Sequence, residues 1–159
     1  MRLLHLHPYV TIVSIHQTTD TQVPIDQTFP HLQSLYKITP TPVDPVHIMQ
    51  NADLVFFATS SGVTKTLAAP FIARHFPVID LSGDFRLNAK DYTQWYHQPA
   101  APQALLDQAN YSLADFYDND KPYIANPGCY ATATLLALAP LAQAQLLDTH
   151  SIVIDAKSG

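Results

Sequence analysis

Length, composition and charge restrict the chain to a few classes of protein. It has 159 residues, of which 47% are hydrophobic and 13% charged, a composition typical of a folded domain and not of a disordered chain. Its formal net charge is −5 and it has no block of basic residues, so we expect no binding to nucleic acid or to a membrane surface. The most apolar run, Ala131–Ala142, is much shorter than the roughly 20 residues of a membrane span, and we expect a cytoplasmic protein.

The first third of the chain has a weak secondary-structure pattern. Met1–Leu6 resembles the end of a helix, and the β-branched run Val10–Ile15 predicts a strand. Thr18–Pro42 is rich in Pro, Thr and Gln and is predicted to be irregular. The pair Asp44-Pro45 is a helix-start signal, with Asp as N-cap and Pro at the first helical position, and it predicts a short helix to about Gln50.

Apolar runs alternate with helical patterns through the rest of the chain. Short continuous apolar runs predict strands buried on both faces, as in a parallel sheet, and Ala- and Leu-rich runs predict helices. The predicted strands are Asp53–Ala58, Pro77–Leu81, Lys121–Asn126 and Ser151–Asp155, and the predicted helices are Val63–His75, bent or restarted at Pro70, and Cys129–Gln143. This alternation predicts an α/β domain with a largely parallel sheet.

One feature of a dinucleotide-binding domain is missing from this pattern. Such a sheet usually opens with a strand and a Gly-rich turn, whereas this chain has four glycines in all and no such turn. At the other end, the strand predicted at Ser151–Asp155 is followed by four residues. We therefore expect a Rossmann-like sheet without its first strand and Gly-rich turn, in a chain cut at both ends.

Small and polar residues follow three of the predicted strands. These loops are Thr59–Gly62, Ser82–Asp84 and Asn126–Cys129. In open parallel sheets, ligands bind outside the carboxyl ends of the strands. We therefore predict that the three loops form one ligand-binding site at the carboxyl edge of the sheet.

Cys129 is the single cysteine of the chain and follows a Pro-Gly turn at a predicted helix start. Unpaired backbone N–H groups and the helix dipole favour an anion there, and the thiolate is the nucleophilic form of a cysteine. The same N–H groups can stabilise an oxyanion on an acyl carbon under attack. The alternative is a small hydrophobic side chain buried against the sheet. The strand–turn–helix context favours the nucleophile.

Arg86 follows the predicted strand Pro77–Leu81, and its side chain has two interpretations. Arg86 offers a planar fork for a phosphate or a carboxylate, or else pairs at the surface with Asp84 or Asp80. Ser82 and Gly83 allow a ligand to approach the backbone closely.

The turn Thr59–Gly62 also has two interpretations. Its hydroxyls and amides suit contacts with phosphate or nicotinamide, or they cap a helix that begins at Val63. Further along, Tyr92, Trp95 and Tyr96 are expected to pack around a connector helix.

The eight histidines are dispersed, and we expect no zinc site. A Cys-His hydrolase would require an imidazole beside Cys129. His97 or His150 could supply it, and this alternative stays open.

Taken together, these segments resemble the N-acetyl-gamma-glutamyl-phosphate reductase family of the semialdehyde dehydrogenase superfamily. The resembling runs follow the family's order over almost the whole chain. They are His7-Pro8, Val78–Leu87, Tyr92–Tyr96, Ile124–Ala133 and Ile154–Gly159.

The resemblance implies a two-domain, NADP-dependent, homo-oligomeric enzyme of arginine biosynthesis. Residues 1–147 would form an incomplete Rossmann-type domain, and residues 148–159 would begin the substrate and dimerisation domain. The implied reaction converts N-acetyl-gamma-glutamyl phosphate to N-acetyl-glutamate semialdehyde and phosphate through a thioester on Cys129. Asn126 and Arg86 would help to hold this acyl phosphate substrate.

The resemblance also implies a cofactor side. Its residues would be Thr59, Ser60, Ser82, Gly83 and Pro127. The family's opening turn, Gly-x-x-Gly-Tyr-x-Gly, and the catalytic His of its second domain have no counterpart in this sequence. Tight NADP binding and turnover are therefore not expected of this chain by itself.

Two alternatives remain. The first is a non-catalytic fragment that self-associates, for example through an exposed sheet edge. The second is a dehydrogenase fragment of the aspartate-semialdehyde type, against which the Asn-Pro-Gly-Cys-Tyr form of the motif argues.

Overall fold

The computed structural model describes residues 1–19, 22–116 and 118–157. All the predicted site residues lie in these ranges, whereas Ser158 and Gly159 of the last resembling run lie outside the described residues. The chain divides into two compact units, Met1–Asp53 and Leu54–Gly159.

The first unit is built from short elements. A helix lies at its start, as predicted. The predicted cap at Asp44 is also present, because the Asp44 carboxylate accepts hydrogen bonds from the N–H groups of Val46 (3.0 Å) and His47 (3.1 Å). Such a cap stabilises a helix by about 1 kcal/mol. The elements are α1 (Arg2–His5), β1 (His16–Gln17), α2 (Ile25–Thr28), a 3-10 helix (Pro30–Leu32), β2 (Thr41–Pro42) and α3 (Pro45–Asn51).

The strand predicted at Val10–Ile15 is wrong, because these residues have no regular structure. The strand lies later, where β1 pairs in parallel with β2 and places His16 beside Thr41. A strand requires a partner, and β2 offers a ladder of two residues that ends at Pro42, which has no N–H to donate.

The second unit contains a four-stranded sheet in which all pairs are parallel. The strand order is β3-β4-β6-β5, with β3 and β5 at the edges. The predicted α/β class with a parallel sheet is confirmed. The elements are β3 (Val55–Phe57), α4 (Thr64–Leu67), α5 (Ala69–Ala73), β4 (Val78–Asp80), α6 (Ala89–Tyr96), α7 (Gln103–Leu106), β5 (Ala109–Tyr111), β6 (Tyr123–Ala125) and α8 (Cys129–Gln143).

One face of this sheet carries the core of the unit. Val78 and Tyr123 are buried on neighbouring strands, and Phe57 packs edge-on against the fully buried Phe71 of α5, with 5.5 Å between ring centroids. Burying a side chain of this size stabilises the fold by about 1.5–3 kcal/mol. Burial on both faces was predicted and is wrong for β3, because Phe56 points to the opposite face and is 39% exposed.

The helix predictions of this unit are confirmed in their main features. The helical run after β3 breaks between α4 and α5, next to Pro70, whose nitrogen cannot donate to the preceding turn. Helix α8 has the predicted bounds. None of the described helices is long and apolar enough to cross a lipid bilayer.

The last predicted strand, Ser151–Asp155, is wrong. These residues are irregular and exposed, and Ile152–Ile154 line a shallow groove of about 290 Å³ with one side of α8. No strand of the described residues pairs with them, so their β-branched side chains do not suffice to form a strand. Conversely, the sequence pattern does not predict β5, because Asn110 at its centre is a residue type that is rare in strands.

Candidate functional site

Three loops meet at the carboxyl end of the sheet, as the sequence predicts. The Leu81 N–H donates to the Phe57 carbonyl (2.8 Å), and the Asn126 N–H donates to the Asp80 carbonyl (2.8 Å). The backbone ladder therefore holds the starts of the loops after β3, β4 and β6 side by side. This is the edge at which parallel sheets bind ligands.

The loop after β4 is organised by buried polar side chains. The Asp80 carboxylate accepts hydrogen bonds from the Ser82 N–H (2.8 Å) and from the Tyr123 hydroxyl (2.9 Å), and the Ser82 hydroxyl accepts one from the Asp84 N–H (3.2 Å). Burial raises the pKa of Asp80 above its usual 3.8. Burial, reinforced by the nearby Asp80 charge, also raises the pKa of Tyr123. Tyr123 is therefore a hydrogen-bond donor throughout the physiological range of pH.

Asp84 connects this loop with two other segments. Its buried carboxylate accepts hydrogen bonds from the N–H groups of Gly62 (2.6 Å) and Lys65 (2.9 Å) and from the hydroxyl of Tyr92 (2.7 Å). Burial, and then the bond to Asp84, raises the pKa of Tyr92. The N–H groups at the beginning of α4 thus already hold an anion that belongs to the chain.

This arrangement tests the interpretation of the turn Thr59–Gly62 as a helix cap. The turn does not cap α4, because the N-cap residue is Val63 and Asp84 accepts the free N–H groups instead. A phosphate at the same N–H groups would have to displace this buried carboxylate.

Cys129 lies at the first position of α8, and its side chain is exposed. The interpretation as a buried hydrophobic residue is therefore wrong. The first bond of the helix is donated by the Thr132 N–H to the Gly128 carbonyl (2.8 Å), so the N–H groups before Thr132 have no acceptor within α8. The first turn of α8 has no acidic residue. The helix start can therefore stabilise negative charge beside the thiol.

Arg86 lies between two of the loops and is half-buried. Its Nε donates to the Asn126 carbonyl (2.8 Å) and its Nη2 donates to the Leu81 carbonyl (2.7 Å). The surface pairing of Arg86 with Asp80 or Asp84 is wrong, because among the described residues no ion pair joins them and the guanidinium bonds to main-chain carbonyls. Nearby, the Asn126 side-chain amide donates to the Pro127 carbonyl (3.0 Å).

The five residues predicted on the cofactor side have different surroundings. The Thr59 hydroxyl bonds to the Thr64 hydroxyl (2.6 Å), Ser60 is exposed, and Ser82 and Pro127 are buried. At Gly83 a Cβ would lie 2.6 Å from the ring of Tyr96, so the close approach there is to a side chain of the chain itself. Their cofactor contacts stay a prediction.

A dinucleotide needs a cradle for its phosphates, and the described residues do not fit that group. The sequence has no Gly-rich turn, and the Asp84 carboxylate occupies the N–H groups at the start of α4. Of the five residues predicted to contact the cofactor, Ser60 has a polar side chain that is exposed to solvent.

His97 and His150 are the candidates for an imidazole beside the thiol. His97 ends α6 in the left-handed conformation, and His150 follows α8. Among the described residues, neither imidazole makes a hydrogen bond to Cys129, and no three His, Cys, Asp or Glu side chains are grouped as metal ligands.

Sequence reasoning missed the roles of Asp80, Asp84 and Tyr123. Acidic residues at both ends of a Leu-Ser-Gly turn were a usable signal, because a carboxylate beside an apolar strand must be hydrogen-bonded if it is buried. Tyr92 is buried as expected for a packing residue, whereas Trp95 is 69% exposed.

Two family models together match almost the whole chain. Residues 1–126 match the NAD-binding domain of semialdehyde dehydrogenases, and residues 129–159 match the semialdehyde dehydrogenase dimerisation domain. The first match implies a nicotinamide cofactor. The domain boundary after residue 147 stays a prediction.

Three curated proteins similar to the chain carry the name N-acetyl-gamma-glutamyl-phosphate reductase. Those of Streptococcus gordonii and Streptococcus mutans are 48% and 49% identical to it over 160 residues, and that of Listeria innocua is 47% identical over 161 residues. Each comparison covers 100% of this chain and 47% of the relative, so the chain spans about half the length of these relatives. With the family models matching along the sequence, the chain belongs to the semialdehyde dehydrogenase family.

Proposed function

We propose that the chain carries the acyl-accepting thiol of an NADPH-dependent N-acetyl-gamma-glutamyl-phosphate reductase of arginine biosynthesis. The observation that supports this most directly is the exposed Cys129 at the start of α8, at the carboxyl end of a parallel sheet. The name shared by relatives that are 47–49% identical supports the choice of substrate.

The geometry suits the acyl-transfer half of the reaction. The Cys129 thiolate attacks the acyl carbon of N-acetyl-gamma-glutamyl phosphate, and its lone pair forms the S–C bond. Free N–H groups in the first turn of α8 stabilise the oxyanion, and the C–O bond to phosphate then breaks, with the electron pair leaving on the phosphate. The product is a thioester on Cys129.

Reduction of the thioester to N-acetyl-glutamate semialdehyde requires a hydride, which the nicotinamide cofactor of the complete enzyme supplies. Because the described residues do not fit the pyrophosphate of that cofactor, we assign this half of the reaction to the complete enzyme.

Acylation can be tested on the 159-residue chain. The chain is incubated with N-acetyl-gamma-glutamyl phosphate, and its intact mass and the released phosphate are measured. We expect one acyl adduct that hydroxylamine removes, and none in Cys129→Ala. An unmodified wild-type chain, or an adduct that persists in Cys129→Ala, would contradict the proposal. Faster labelling by aspartyl phosphate would favour the aspartate-semialdehyde alternative.

A second function, self-association through α8, is favoured by the surface of this helix. Its 15 residues include no charged side chain and none that is buried. The strands at the sheet edges have three residues each and are poor templates for pairing, so α8 is the better candidate. We propose a second copy of the chain as its partner, because the dimerisation-domain model matches residues 129–159. Its large exposed apolar side chains are Tyr130, Leu136 and Leu141.

A further inference from the structure

Strands β4 and β6 make their last shared hydrogen bond at Asn126, the first residue of the turn that leads to Cys129. Their last shared hydrogen bond runs from the Asn126 N–H to the Asp80 carbonyl (2.8 Å). Leu81, the residue after β4, donates its N–H to the Phe57 carbonyl of β3. Among the described residues, no backbone N–H donates to the carbonyl of Leu81 or to that of Asn126, so both need side-chain donors.

Arg86 supplies both donors. Its Nη2 lies 2.7 Å from the Leu81 carbonyl and its Nε lies 2.8 Å from the Asn126 carbonyl. The guanidinium thus joins the ends of the two strands at the point where the backbone ladder stops. The Asn126 carbonyl is also the first carbonyl of the turn that leads to Cys129.

The far end of the same turn also lies close to the guanidinium. A Cβ at Gly128 would lie 3.0 Å from the Nη1 of Arg86, so the missing side chain leaves space for this group. Gly128 has φ −66° and ψ 161°, a conformation that any residue adopts. Contact with Arg86, and not backbone strain, is therefore the reason for a glycine here.

We infer that Arg86 is a positioning residue that fixes the turn from Asn126 to Cys129 through main-chain carbonyls, and so sets the reactivity of the thiol before any substrate binds. This inference deepens the proposed function and rests on it for the role of the thiol. It is distinct from a substrate contact, for which the guanidinium would use the N–H groups of Nη1 and the second N–H of Nη2 and not the two donors that bond to the carbonyls.

The planar fork is what this role requires. An arginine presents donors at fixed spacing and can bond two carbonyls at once, whereas a lysine carries the same charge on a single flexible ammonium group. Arg86→Lys therefore separates positioning from charge. Arg74, which is exposed at the end of α5, provides a matched control for the loss of an arginine.

Cys129 is the single cysteine, so a thiol reagent reports on it alone. The rate of reaction with Ellman's reagent is measured without acyl phosphate for the wild type, Arg86→Ala, Arg86→Lys and Arg74→Ala. Losing hydrogen bonds from a charged donor should slow both Arg86 variants by about three- to tenfold, because the helix start is no longer held in place. Arg74→Ala should react at the wild-type rate.

Circular dichroism verifies that each variant is folded. If Arg86→Ala is unfolded, Gly128→Ala replaces it, since its Cβ would press on the guanidinium while Arg86 remains; we expect a smaller decrease in the same rate. Wild-type rates in folded Arg86 and Gly128 variants would overturn the inference. Recovery of the wild-type rate in Arg86→Lys alone would also overturn it, in favour of a charge effect. Because no acyl phosphate is present, failure of the acylation test leaves this measurement interpretable.

Discussion

The loop after β4 and the helix α8 meet at one edge of the sheet, but they differ sharply in burial. Ser82, Gly83 and Asp84 are buried, and the loop's polar side chains bond to neighbouring segments. Helix α8 has no buried residue and no charged one. The loop therefore provides buried polar contacts, whereas α8 provides N–H groups at its start and an apolar surface.

This difference predicts how each region responds to substitution. A buried donor that loses its acceptor costs about 1–3 kcal/mol, and losses in a shared network occur together. An exposed side chain on α8 has few contacts to lose. The free energy of unfolding should thus be sensitive to the loop and insensitive to α8.

Asp84→Ala should have the largest effect. It leaves the N–H groups of Gly62 and Lys65 and the hydroxyl of Tyr92 without their acceptor, so we expect the free energy of unfolding to fall by about 3 kcal/mol or more. Urea denaturation measures the change. The exposed Asp115→Ala is the control and should change stability by less than about 0.5 kcal/mol. Similar values for the two variants would remove the contrast between the loop and the surface.

Gly83→Ala should have an intermediate effect. The added Cβ would lie 2.6 Å from the ring of Tyr96, which stacks on Tyr92 with 4.6 Å between centroids. We expect a loss of about 1–2 kcal/mol from this overpacking. Combining it with Tyr96→Ala in a double-mutant cycle should recover part of that loss. Strictly additive effects would show that the Tyr96 contact does not limit the loop.

Leu136→Ser should have the smallest effect on stability. Leu136 is exposed on α8, and its replacement should change the free energy of unfolding by less than about 0.5 kcal/mol. Self-association measured by sedimentation should nevertheless weaken, because apolar area leaves the interface that we propose. Leu6→Ser, at another exposed leucine, is the matched control. Equal association in the two variants would argue against α8 as the contact surface.

The parts of the fold that the sequence predicts well depend on local patterns. Helix α8 and the Asp44 cap follow from residues that are neighbours in sequence. The strands predicted at Val10–Ile15 and Ser151–Asp155 fail because a strand also needs a partner, which local composition does not specify.

The candidate site divides in the same way. The meeting of three loops and the place of Cys129 at a helix start follow from the order of strands and turns. The partners of Asp84 and Arg86 do not, because these bonds join Asp84 to Gly62, 22 positions away, and Arg86 to Asn126, 40 positions away. Such pairs become visible only when the sheet has placed the loops together.

Asp84 and Arg86 stand two positions apart in one loop, yet the first bonds to the segment after β3 and the second to the segment after β6. Both bonds can form only if the two residues keep this spacing. A peptide tag or reporter inserted between these residues would disconnect one neighbour or the other. The exposed residues 118–120 are a better place for an insertion, because engineered additions are tolerated best at polar, solvent-facing loop tips.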